Sequence, residues 1–135
     1  MTIELWAMAW AAILLLALAF ISASGGTATL GTAWAFGNQE DAPTAKGWVG
    51  RSVRAHRNLI ENLLPFTAVV VAAHLANVHT QYTVLGAEIF LGARVAHAIL
   101  YSAGITALAL RTLAHFASIG GTVLIFSQLV SRGVV

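Results

Sequence analysis

Two short runs in this 135-residue chain carry most of the side chains that could do chemistry. In the first, Arg54, Arg57, Asn58 and Glu61 recur at i, i+3, i+4 and i+7, a spacing that puts them on one face of a helix. In the second, Arg94, His97 and Tyr101 recur at i, i+3 and i+7 and share one face in the same way. Both runs sit in a chain that is 59% hydrophobic and 9% charged. Cations outnumber carboxylates in the two strips. Arginine guanidinium groups clamp carboxylates and phosphates bidentately, so the strips suit an anionic ligand. The chain has no cysteine, so a protein-borne thiol nucleophile, a disulfide and a thiolate metal site are all excluded. Any sulfur chemistry must use a thiol that the ligand brings.

The elements that position these strips are apolar runs long enough to cross a bilayer. Leu5 to Ser24 is twenty residues without a charge, about 30 Å of helix at 1.5 Å per residue. Further spans are expected near 52–75, 82–103 and 112–130, giving an all-α integral membrane bundle of four transmembrane helices in one domain, 1–135. The first helix has room to run on through Gly25 and Gly26. Glu4 is the only early charge, and a secretory leader needs basic residues before its apolar run, so this segment is read as a retained helix. GNQEDAPTAKG, with Pro43, forms the main loop, Asn77 to Gln81 the second turn, and Gly104 to Leu110 the third. A net charge of +2 with no Lys/Arg block gives no nucleic-acid surface.

Lys46, Arg51, Arg54 and Arg111 all fall on the side of the first and third loops, while Arg132 is the one fixed cation on the other. The positive-inside rule then places loops one and three in the cytoplasm and both termini opposite. Counting helical rise from the cytoplasmic ends, Glu61 and Arg94 come to similar depths, about 15 and 13 Å, where they can meet as an ion pair. Asn58 and His97 share the next layer, and Arg57 and Tyr101 the one above. Each charge costs on the order of 3 kcal/mol against lipid, so the strips are expected to face the protein interior or a water-filled cavity. His115, near the start of the fourth helix, is placed to line the same cavity. His74 and His79 flank the second turn at a spacing of five with no third ligand, so they are read as interfacial and no metal site is expected. Trp6, Trp10, Trp34 and Trp48 are read as interface anchors.

The run RAHRNLIENLLPF (Arg54 to Phe66) resembles the second-helix signature of the MAPEG proteins, the membrane-associated proteins of eicosanoid and glutathione metabolism. GARVAHAILY (Gly92 to Tyr101) is similar to the third-helix element of the same family, and FGNQEDA resembles the acidic first loop of some members. The resemblance implies a homotrimer of four-helix protomers that binds glutathione between subunits on the cytoplasmic side. It implies that Arg57, Asn58 and Glu61, with Arg54 on the same face, contact glutathione from the second helix. Arg94, His97 and Tyr101 would do so from the third helix and His115 from the fourth. Arg111 and Thr112 look like the arginine and small hydroxyl residue that open the fourth helix of active members beside the thiol. Two positions depart from the pattern. The gap from Tyr101 to Arg111 is one residue longer than in mammalian members, and His115 stands where some members have a tyrosine. The function so implied is a membrane-bound glutathione transferase or peroxidase acting on lipophilic electrophiles or lipid hydroperoxides, possible isomerase activity included, in a detoxification role. The expected location is a bacterial inner membrane, with lipids and a lipophilic substrate as partners. A non-catalytic lipid-binding or scaffold member is the alternative, although such members lack the clamping arginines kept here; a small ion or solute pathway is a third reading.

Overall fold

The computed structural model describes residues 1–39, 44–105 and 109–133. All regular structure among them is helical: α1 (Ile3–Leu30), a single turn α2 (Thr32–Ala35), α3 (Gly47–Leu75), α4 (Gln81–Ala103) and α5 (Leu110–Ser131). Four of these are long and apolar enough to cross a membrane, α2 being the exception. Glu40 and Asp41 of the acidic loop, and residues 106–108 of the third turn, lie outside the described residues.

Local chemistry sets the helix ends. Thr2 caps α1 by accepting from the Leu5 backbone N–H at 3.4 Å. Thr80 begins α4 with a reciprocal capping box to Thr83. Gly104 ends α4 in the left-handed conformation (φ 77°) that a glycine adopts without penalty. Arg51 reinforces this end, donating from Nε to the Ser102 carbonyl at 3.2 Å. Helix α3 begins at Gly47, five residues earlier than its apolar stretch suggests, because its polar first turns are helical too. Pro65 sits inside α3 and supplies no N–H to the carbonyl four residues back, that of Glu61.

Packing explains why the outward faces stay apolar. Helices α4 and α5 form the tightest pair, α1 lies against α3 and α4, and α3 reaches both α4 and α5. The α4–α5 approach is close because glycine faces glycine. A Cβ added at Gly86 would stand 2.6 Å from the Gly121 carbonyl oxygen. One core centres on the stacked rings of Phe66 and Phe90, 3.7 Å apart, with Val70, Ala87, Ile125 and Leu129 around them. A second joins Leu18, Ala55, Leu59 and Ala98 near the loop-one end. Phe20, Leu64, Leu75, Ile99 and Phe116 are each more than half exposed. Large apolar side chains spread over the outer surface are what a lipid solvent requires.

Candidate functional site

Near the loop-one end, α3, α4 and α5 enclose a polar cavity of about 220 Å³ lined by Asn58, His97, Tyr101, Arg111, Thr112 and His115. Each helix contributes from its own end, so residues far apart in sequence come level in depth. From the α4 end at Ala103, Arg94 lies about 14 Å in. From the start of α5, Ser118 lies about 12 Å in.

Beneath this cavity lies a buried arginine with most of its donors occupied. Arg94 is buried, and its Nη1 donates to Asn58 Oδ1 at 2.7 Å. Its Nε donates to Ser118 Oγ at 2.9 Å, and Nη2 makes a second bond to the same oxygen. Nη2 also lies 3.3 Å from His115 Nδ1 and 3.5 Å from the His115 carbonyl. Ser118 passes its own proton to the His115 carbonyl at 2.7 Å. A guanidinium buried in a membrane is tolerable only when its N–H groups find acceptors, and this set supplies them from two other helices. Arg94 therefore ties α3, α4 and α5 together beneath the cavity and is not among its lining residues.

The expected Glu61–Arg94 ion pair does not form. Glu61 is exposed, and Asn58, Ser118 and His115 take the guanidinium instead. The α3 partner is Asn58, one turn nearer the loop-one end than Glu61. Three residues advance a helix by about 300°, so Glu61 is turned about 60° from Asn58 and stays exposed while Asn58 reaches the guanidinium. The only ion pair among the described residues is elsewhere, between Glu4 and His79.

The upper part of the site is built on Tyr101. Arg54 Nε donates to its hydroxyl oxygen at 3.3 Å, and the Arg111 guanidinium carbon lies 4.9 Å from its ring centroid. Cation–ring attraction at that distance favours both partners and holds Arg111 over the cavity. Tyr101 is thus layered with Arg54 and Arg111, where the sequence spacing had suggested Arg57. The His97 ring leans on Tyr101 at 5.4 Å and faces His115 at 6.2 Å. Arg111 is the second residue of α5, where the positive end of the helix dipole adds to its charge.

Of the ten sequence-predicted site residues, six line the cavity and Arg54 braces it. Arg94 lies under it. Arg57 and Glu61 are exposed on α3 and do not line it. Ser118, fully buried, is a partner that sequence reasoning missed, since a serine in an apolar run gives no signal of its own. A second polar cluster, at the opposite end of the bundle, was also missed. Glu4, only 4% exposed, accepts from Thr83 Oγ1 at 2.5 Å and lies 3.7 Å from His79 Nδ1. A carboxylate flanking an uncharged span has to find partners of this kind, and that need was its signal.

Fold and site together define a polytopic helical membrane protein with a cationic, histidine-bearing cavity between three of its spans. The sequence profile of the MAPEG family matches residues 5–131, nearly the whole chain, and the chain belongs to that family. Membership places it among membrane proteins of glutathione and eicosanoid metabolism, whose members generally use glutathione as a co-substrate. No curated protein matches the chain.

Proposed function

We propose that this protein is a membrane-bound glutathione-dependent transferase or peroxidase for lipophilic electrophiles or lipid hydroperoxides. The observation that carries the reading is the cavity under Arg111. Its lining supplies a guanidinium, two imidazoles, a phenol, a threonine hydroxyl and an amide, and no carboxylate. That donor set fits an anionic, thiolate-bearing ligand. At about 220 Å³ the cavity is smaller than the roughly 300–1,000 Å³ of whole-ligand pockets, so it suits the thiol end of the tripeptide. Arg57 and Glu61, exposed on α3, suit its charged ends, a carboxylate and the ammonium respectively. A homotrimer in which a neighbouring copy covers that face would enclose the ligand.

Glutathione supplies the nucleophile, a thiol with a pKa of about 8.5 in water. Arg111, at the start of α5, favours the thiolate by placing a cation and a helix N-terminus beside it. Thr112 offers a hydroxyl donor at the same end. Tyr101, whose hydroxyl oxygen already accepts from Arg54, has its own proton free to donate to an acceptor in the cavity. Asn58, fixed by Arg94, holds the floor. In the transferase reaction a carbon–sulfur bond forms and the leaving group departs with its electron pair. In the peroxidase reaction the peroxide O–O bond is reduced to an alcohol and water as two thiols become a disulfide. The electrophile reaches the site from the bilayer, with the site in the cytoplasmic half of an inner membrane.

Equilibrium binding of glutathione to the purified protein in detergent tests the reading. Arg57→Ala and Glu61→Ala should each weaken binding about tenfold, as expected for losing one partly exposed charge-assisted bond. Unchanged affinity in both would remove α3 from the site and favour the lipid-binding reading.

A further inference from the structure

A second cavity lies apart from the one under Arg111, between the end of α1, the turn α2 and the start of α3, and measures about 520 Å³. Ser22 and Thr29 of α1, Trp34 of α2, Lys46, and Val49 and Val53 of α3 form much of its wall. It shares no lining residue with the polar cavity. Val53 and Asn58 are five residues apart, which turns them about 140° from each other around α3, so the two cavities open on different sides of that helix.

Three observations describe what this space would take. Its volume falls within the roughly 300–1,000 Å³ of ligand pockets. Two of its wall residues carry buried polar atoms with no hydrogen-bond partner among the described residues, Ser22 Oγ and Trp34 Nε1. Orphaned donors of this kind are rare in folded proteins, and an oxygen acceptor on an occupant would satisfy the Trp34 indole N–H. Finally, the charged residue among the described residues of the wall is Lys46, exposed at the N-cap of α3. From Leu30 down to Ser22 is eight residues, so the space reaches about 12 Å along α1 below its charged rim. The space is also built deliberately by the backbone: a Cβ at Gly26 would come within 3.3 Å of the Trp34 ring, so glycine lets the indole close over α1.

We propose that this cavity binds an anionic amphiphile, with its carboxylate or phosphate head at Lys46 and one acyl chain between α1 and α3. Free fatty acids and anionic phospholipids share that chemistry. The site is independent of the glutathione reading and stands or falls without it.

The test is quenching of Trp34 fluorescence by brominated amphiphiles in nanodiscs of unbrominated phosphatidylcholine. The signal is the difference between the native protein and Trp34→Phe. Dibromostearate, brominated phosphatidylglycerol and brominated phosphatidylcholine are titrated separately. The proposal expects saturable quenching by at least one of the two anionic probes, and which of them saturates identifies the source of the head group. Lys46→Gln should raise the half-saturation concentration about fivefold, the effect of one interfacial cation near an anionic head. Val53→Phe should abolish saturation by filling the space. Quenching that rises linearly with every probe, that saturates equally with phosphatidylcholine, or that ignores Lys46→Gln would overturn it. Because Lys46 is exposed, that variant reports on binding even if Val53→Phe fails to fold.

Discussion

Replacing Ser118 with alanine removes one hydroxyl from a fully buried position and tests whether Arg94 is the strut that shapes the site. Ser118 Oγ accepts twice from Arg94, once at 2.9 Å, and donates to the His115 carbonyl at 2.7 Å. Arg94 would keep Asn58 Oδ1 and the His115 contacts but would lose the acceptor for Nε. A hydrogen bond to a charged group is worth about 1.5–3 kcal/mol. Interhelical bonds in membranes average only about 0.6 kcal/mol, with a maximum near 1.7, since separated helices find other partners. The guanidinium is charged and nearly inaccessible, so the upper part of the membrane range governs, and about 1.5 kcal/mol is expected. Asn58→Ala should cost a similar amount. The two changes share Arg94, so the double variant should depart from additivity by at least about 0.5 kcal/mol. Reversible unfolding in mixed detergent and dodecyl sulfate micelles, followed by circular dichroism, measures all three. Ser127→Ala, on the exposed face of the same helix, is the control and should shift stability by less than about 0.5 kcal/mol. If Ser118→Ala behaves like the control, or adds simply to Asn58→Ala, Arg94 is not a strut.

Gly86→Ala would drive a methyl group into the Gly121 carbonyl and the Ile125 side chain, and should destabilise the fold by about 1–3 kcal/mol in the same unfolding assay. Gly120→Ala, where an added Cβ meets nothing within 4 Å, should be neutral there. Thr83→Val keeps volume but strips the Glu4 carboxylate of its 2.5 Å donor, and should cost about 1–3 kcal/mol without changing glutathione affinity at the far end of the bundle.

Much of the fold was legible because a bilayer-spanning helix announces itself by length and by the absence of charge. Leu5 to Ser24 needed no further information, and α1 simply continues through Gly25 and Gly26. The start of α3 was harder, because its opening turns carry glycine and arginine and so read as loop until packing against α1 makes them helix. The polar strips were legible as helical faces, which is how Asn58, His97, Tyr101 and His115 came to be assigned to one cavity. What spacing does not give is the rotation of each face relative to its neighbours. That is why Glu61 was paired with Arg94, and Arg57 layered with Tyr101, where Ser118 and Arg54 hold those places. A serine in an apolar helix signals nothing by itself; it acquires meaning only once a buried cation needs an acceptor. Glu4 and Thr83 are 79 positions apart, and only the α1–α4 contact joins them.

The most direct measurement is the ultraviolet difference spectrum of glutathione bound to the detergent-solubilised protein at neutral pH, in native form and as Arg111→Ala. The account predicts a saturable thiolate absorbance in the native protein that is lost in the variant while glutathione still binds. Equal thiolate absorbance in both would contradict the placing of thiol activation at Arg111, and no glutathione binding by the native protein would contradict the glutathione reading altogether.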